Sequence, residues 1–233
     1  MEKSDYPFIS VIIPVFNDRE PLKLCLAALA QQSYPSSQHE VIVVDNGSDH
    51  LEQIEAIVNS FKEVILAKES TPGSYAARNK GLSLAKGEII AFTDADCIPA
   101  PDWLEAGVQT LTNTPNCGLV AGQIQLFFRN PKQPTMVEIY ESVRALPQQE
   151  FVAKHHYGAT ANVFTTQEVI KQVGGFDAQL KSSGDVEWGQ RVYKKGYQQV
   201  YAESVVVHHP TRASWKEFCN RTRRLAGGHY DLQ

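Results

Sequence analysis

"EIIAFTDAD", residues 88–96, is an apolar run that ends in two aspartates one residue apart. Ile89, Ile90 and Phe92 read as a buried strand, rich in β-branched and aromatic side chains. An ordinary turn after it would use one Asp beside Gly or Asn. Here Asp94 and Asp96 stand at i and i+2, which in extended backbone point to the same side. Two carboxylates sharing one focus repel, and each raises the other's pKa. A divalent cation removes that penalty. Mg²⁺ or Mn²⁺ typically takes one or two carboxylates, some waters and the oxygens of a substrate diphosphate, and neutralises a phosphate leaving group as a Lewis acid. The alternative is a solvated turn with two surface aspartates.

The upstream sequence repeats the pattern of a buried strand running into a polar loop. "FISVIIPVFN" (8–17) stops at Pro14 and Asn17, and "EVIVVDNGSD" (40–49) stops at an Asp-Asn-Gly-Ser turn signal. A short strand is expected at 63–67. Helices are expected between the strands. The first, over 20–31, has an apolar stripe of Leu22, Leu26, Leu29 and Ala30; the others run over 50–59 and over 73–87, the last closed by Gly87. Strand–helix alternation predicts an α/β fold, a doubly wound and mostly parallel sheet flanked by helices. In such sheets ligands sit outside the carboxyl ends of the strands. The polar clusters Asn17–Asp18, Asp45–Ser48 and Thr93–Asp96 all fall there.

Beyond residue 100 the alternation ends. The expectations are a long strand or strand pair over 118–128, a helix over 135–146, and a strand or turn over 158–164. Helices follow over 166–173 and 182–196, then a strand in "QQVYAESVVVHHP" (198–210) and a basic helix. His155 and His156 are expected in a loop. This half looks like the acceptor-shaping part of an enzyme, and the 233 residues are read as one domain with a smaller mixed region.

Bulk properties exclude several classes. Apolar stretches of five or six residues fall far short of a membrane span, and no secretory signal is expected. A net charge of −4, with no dense basic stripe outside 212–224, argues against nucleic acid as the main partner. Cys25, Cys97, Cys117 and Cys219 lack metal-ligand spacing and read as reduced thiols of a cytosolic protein.

Six segments, in order, carry a family resemblance: "SVIIPVFN", "VIVVDNGSD", "ARNKGL", "GEIIAFTDADC", "GGFD" and "GDVEWGQRV". Over residues 8–225 the chain resembles glycosyltransferase family 2, the inverting enzymes of the Rossmann-like GT-A fold. The resemblance implies a nucleotide-sugar donor, usually a UDP-sugar, with Mn²⁺ or Mg²⁺, bound by the half over 1–100. It implies that the backbone at Pro14 and Val15 holds the nucleoside, with Asn17 beside them at the strand end. Asp45 would bind uracil or ribose, Arg78 the base, Asp94 the ribose and metal shell, and Asp96 the metal. The residues themselves also allow Asp45 to be a turn cap. Arg78, on a helix with small neighbours, offers planar bidentate donors to a base or phosphate, or a salt bridge.

Inverting transfer requires a group that accepts the proton of the attacking hydroxyl, as in an inverting hydrolase. By the resemblance that base is Asp185, with Glu187 as fallback. The family usually has Glu-Asp where this chain has Gly184-Asp185. An Asp in the first helical turn also stabilises the helix dipole without chemistry. Relatives often use a His before Pro as a metal ligand, and imidazole suits Mn²⁺. Strand alternation lets only one of His208 and His209 face the site, and the resemblance favours His209. The basic run Arg212, Lys216, Arg221, Arg223, Arg224 reads as a lid over the diphosphate, a contact to anionic lipid headgroups, or a solvated face. Trp215, Phe218 and Leu225 suit a docked helix face.

The expected function is metal-dependent inverting transfer of a sugar to a glycan or lipid-linked acceptor, on the cytoplasmic side and peripherally at the inner membrane face. Two rivals stand beside it. A nucleotidyltransferase would show a Gly/Arg/Lys-rich loop after the first strand, where this chain has "PVFNDREP". A non-catalytic nucleotide-sugar or glycan-binding module would account for the missing glutamate. The sequence names neither the sugar nor the acceptor.

Overall fold

The computed structural model describes residues 6–144 and 146–231. The apolar runs form β1 (Ile9–Val15), β2 (His39–Asp45), β3 (Val64–Lys68) and β4 (Ile89–Thr93), linked by α1 (Arg19–Leu29), α2 (Leu51–Val58) and α3 (Ser74–Leu84). β1, β2 and β4 are buried along almost their whole length, which requires cover on both faces of the sheet. After the two aspartates come β5 (Ile98–Pro99), α4 (Trp103–Asn113), β6 (Cys117–Phe127), α5 (Met136–Arg144) and the short α6 (Gln148–Glu150). The rest is β7 (Asn162–Thr166), α7 (Gln167–Val173), α8 (Gly184–Lys194), β8 (Gln198–Pro210) and α9 (Trp215–Asp231).

All eight strands make one sheet in the order β3-β2-β1-β4-β7-β6-β8-β5. β1 to β4 pair in parallel, and so do β6 and β8. β7 runs antiparallel between β4 and β6, and β5 runs antiparallel to β8. The sheet is therefore mixed but mostly parallel. β7 continues the sheet from its first half into its second, so the later strands extend the scaffold.

Alternation along β1 divides the core. Ile9, Val11 and Ile13 pack with Leu22, Leu26, Trp103 and Leu104 on one face. Ile12 joins Phe92, Phe176 and Trp188 on the other. Each fully buried side chain of this size contributes about 1.5–3 kcal/mol.

Several expectations need correcting. The helix over 73–87 ends at Leu84, and Ala85 is already extended. Its exit is held by a buried pair: Ser10 Oγ donates to Glu40 Oε1 at 2.7 Å and accepts from the Gly87 amide at 2.8 Å. Gly87 is no helix cap. A Cβ there would stand 2.4 Å from the Ser10 nitrogen, so the residue is small because two backbones touch. His155 lies in a single π turn (Phe151–His155) instead of a loop, and His156 adopts a left-handed backbone behind it. Trp215 is not docked on the body: it is 69% exposed and packs on Phe218, ring centroids 5.2 Å apart. No helix among the described residues is long and apolar enough to cross a membrane.

Candidate active site

A cavity of about 1020 Å³ opens at the carboxyl ends of β1 and β4, and α8 and α9 close its sides. Pro14, Val15, Phe16 and Asp18 line it from the end of β1, and Asp94, Ala95 and Asp96 from the end of β4. The two aspartates have separate nitrogen-bearing partners. Arg78, 3% exposed, donates from Nη2 to Asp94 Oδ1 at 2.5 Å. His209, at the end of β8, brings Nε2 to 3.7 Å from Asp96 Oδ2. Burial pushes the Asp96 carboxyl above its usual range; His209 opposes the shift and Asp94 adds to it. Asp18 is pushed up too, by burial and then by Asp96 and Asp94. The sequence placed Asp18 at this strand end without giving it a role, and the structure makes it a third acid of the same field.

Asp96 and His209 fit a divalent cation. Together with Cys97 they bring three potential ligand atoms within 4.8 Å of one another. His209 Nδ1 lies 2.7 Å from the Pro210 carbonyl, so an N–H there leaves Nε2 free to ligate towards Asp96. The carboxylate oxygen suits Mn²⁺ or Mg²⁺, and the imidazole nitrogen favours Mn²⁺ of the two. Burial, then Asp94 and Asp96, hold the Cys97 thiol well above its ordinary range, so it stays a protonated core residue.

Asp185 faces the same cavity from the first turn of α8. Its Oδ1 accepts from the Tyr75 hydroxyl at 3.3 Å and from the Val186 amide at 3.1 Å. Burial raises its pKa and Arg78 pulls it back. The residue before it is glycine for a steric reason: a Cβ on Gly184 would lie 2.7 Å from the Tyr75 ring. The glutamate expected beside Asp185 has no room. Glu187, the fallback base, is committed elsewhere, accepting from Arg191 Nε at 2.6 Å and Nη2 at 2.8 Å. Ser183, just before α8, makes no side-chain cap and has a left-handed backbone, φ 62°.

Neither Asn17 nor Asp45 lines the cavity. Asn17 accepts from the Asp49 amide at 2.9 Å and donates to Asp49 Oδ2 at 3.0 Å, tying the loop after β1 to the loop after β2. Asp45, 3% exposed, caps its own turn, Oδ2 accepting from the Gly47 and Ser48 amides at 3.0 and 3.2 Å. Its Oδ1 has no partner among the described residues.

The opposite wall is basic and aromatic. Arg212, Arg221 and Arg224 line it with Leu146, Phe151, His155 and Tyr157. Lys216 and Arg223 point to solvent instead. The arginines are organised by Glu141 of α5, whose side chain is 2% exposed and lies 3.2 Å from Arg212 Nη1 and 3.5 Å from Arg221 Nη1. Nothing in the sequence marked Glu141 or Tyr75. Their roles come from segments far apart in the chain.

Comparison with known proteins bears on the family and the fold. Residues 10–213 match the family model described as Glycosyl transferase family 2. The chain is 40% identical over 214 residues to glycosyltransferase AglE of Haloferax volcanii, covering 90% of this chain and 69% of that protein. It is 28% identical over 224 residues to a pre-mycofactocin glycosyltransferase of Mycobacterium tuberculosis, covering 94% of this chain but 46% of that protein. Among solved structures, the mannosyltransferase PcManGT of Pyrobaculum calidifontis, in complex with GDP-Man and Mn²⁺, superposes with a TM-score of 0.74 at 23% identity. That match covers 98% of this chain and 65% of the other, and it shows a shared GT-A fold.

Proposed function

The chain belongs to glycosyltransferase family 2 and is a glycosyltransferase, and from that premise we propose that it draws on a nucleotide sugar and carries out metal-dependent inverting transfer to an acceptor hydroxyl. One observation carries the reading: Asp96 with His209 on the floor of one cavity, and Asp185 on its facing wall. A divalent cation held by Asp96 and His209 would supply Lewis-acid neutralisation of the leaving diphosphate. Arg78 would hold Asp94 oriented for the ribose. Asp185 would take the proton of the acceptor hydroxyl as that oxygen bonds to the anomeric carbon and the bond from that carbon to the diphosphate oxygen breaks. Its raised pKa suits a base that must also hold the proton it receives. We expect UDP as the nucleotide, with GDP, present in the Pyrobaculum complex, as the competitor.

For the acceptor, the wall of Arg212, Arg221 and Arg224 beside Phe151 and Tyr157 supports a group that pairs an anion with an apolar portion. A lipid-linked acceptor has that chemistry. The name of a Methanococcus voltae relative, 24% identical over 227 residues, begins with a dolichyl sugar phosphate. The chain would act as a single domain at a membrane surface, reached through its C-terminal basic helix. A non-catalytic binding module is disfavoured, because the missing glutamate follows from the packing of Tyr75 on Gly184 and leaves Asp185 in place.

The test is release of nucleoside diphosphate from a panel of UDP-, GDP- and dTDP-sugars with Mn²⁺, Mg²⁺ or EDTA. Wild type should turn over one donor slowly and only with the metal. Asp96→Ala and Asp185→Asn should each lower the rate of transfer by roughly two to three orders of magnitude. Release that ignores EDTA and survives Asp96→Ala would remove the metal from the scheme. Binding of a nucleotide sugar without any turnover would favour the module.

A further inference from the structure

Ser183 sits in the cavity wall at two costs that the chain by itself does not offset. Its φ of 62° lies in the left-handed region, which side chains other than glycine enter unfavourably. The residue is 3% exposed, and its Oγ has no hydrogen-bond partner among the described residues. A buried hydroxyl left unpaired is destabilising. Glycine would suit the backbone and remove the orphan together. Ser183 nevertheless lines the 1020 Å³ cavity beside Ser182 and Asp185, where a bound group would satisfy it.

The neighbourhood selects the chemistry of that group. Asp185, two residues on, faces the same space, so a phosphate oxygen at Ser183 would meet a second anion. The basic groups of the cavity, Arg212, Arg221 and Arg224, belong to a different wall, built from the end of β8 and from α9. A neutral group that both donates and accepts fits best, since the serine hydroxyl can serve in either sense. We propose that Ser183 Oγ hydrogen-bonds a hydroxyl of a sugar ring seated against the first turn of α8, making Ser183 a specificity-determining residue. The ring belongs to the donor's transferred sugar or to the acceptor. The inference rests on reading the cavity as a nucleotide-sugar site and assigns that site a sugar contact in place of the glutamate that Tyr75 excludes.

The experiment compares wild type with Ser183→Gly and Ser183→Ala. UDP, GDP and their sugar conjugates are titrated calorimetrically with Mn²⁺, and transfer to octyl β-D-glucoside and octyl α-D-mannoside is followed. Melting temperature should hold or rise in Ser183→Gly, whose backbone prefers this conformation. Affinity for UDP and GDP should stay unchanged in both variants. A donor ring predicts nucleotide-sugar affinity lower by roughly 3- to 10-fold in both. An acceptor ring predicts unchanged donor affinity and a KM for the octyl glycoside higher by roughly the same factor. The proposal is overturned if neither quantity moves, or if Ser183→Gly melts markedly lower, which would make the hydroxyl a support of the fold. Wild type that binds no nucleoside diphosphate would sink the donor reading before any variant is compared, and this proposal with it.

Discussion

Tyr75 meets two neighbouring residues of the site from which the sequence separates it by more than a hundred positions. Its ring fills the space beside Gly184, and its hydroxyl donates to Asp185. That hydrogen bond favours the ionised carboxylate, against the burial that raises its pKa. Removing it in Tyr75→Phe therefore raises the Asp185 pKa further. A base must be ionised to act, so the acid limb of kcat/KM should move to higher pH, while the plateau above it falls by less than about 10-fold. A pH profile of Tyr75→Phe beside wild type checks this. A limb that stays in place would mean that Asp185 is not the titrating base. The pairing of Asp94 with Arg78 belongs to the same scale, since it leaves Asp96 as the freer carboxylate for a metal.

Elements position these residues through contacts at their ends. α3 delivers Tyr75 and Arg78 to the cavity, and its exit is pinned where Gly87 passes against β1 under the Ser10–Glu40 pair. Gly87→Ala would drive a methyl group into the Ser10 and Ile89 backbone, which cannot move like a flexible side chain. We expect a loss of roughly 2–4 kcal/mol, the scale of severe overpacking, read as a lower denaturation midpoint in urea. Stability equal to wild type would show that the β1–β4 contact can spread. α5 works similarly at the other wall. Its buried Glu141 collects Arg212 and Arg221, so two arginines from different elements share one anchor.

Across the whole molecule, the greatest apolar exposure among the described residues falls on the side that carries α5 and α9. Met136 (80%), Val143 (79%) and Trp215 (69%) are the most exposed large apolar side chains, and all lie on α5 and α9. Lys216 and Arg223 are exposed on α9 as well. Apolar and basic groups presented together suit an anionic lipid surface. The protein should sediment with phosphatidylglycerol vesicles and be released by salt, and Trp215→Ala should weaken binding by roughly an order of magnitude. Equal binding to neutral phosphatidylcholine would exclude charge from the recognition, and no binding to either would leave this side for a protein partner.

The sequence by itself determined the parallel half of the sheet, because buried strands and amphipathic helices are local patterns with fixed periods. It also located the carboxyl-end acids Asp94 and Asp96, since strand ends are written in the chain. With the family motifs it singled out Asp185 and His209. What it could not specify was who meets whom. The insertion of β7 between β4 and β6, the Arg78–Asp94 pair, the ring of Tyr75 in the place of a glutamate, and the Glu141 anchor join residues 16 to 110 positions apart. Such contacts depend on how the strands and helices pack in three dimensions. Asn17 and Asp45 carried the same strand-end signal as Asp94, yet Asp45 caps its own turn and Asn17 binds the neighbouring loop after β2. Only the tertiary structure decided which strand-end acids face the cavity, because a carboxylate's role is set by the donors that reach it first.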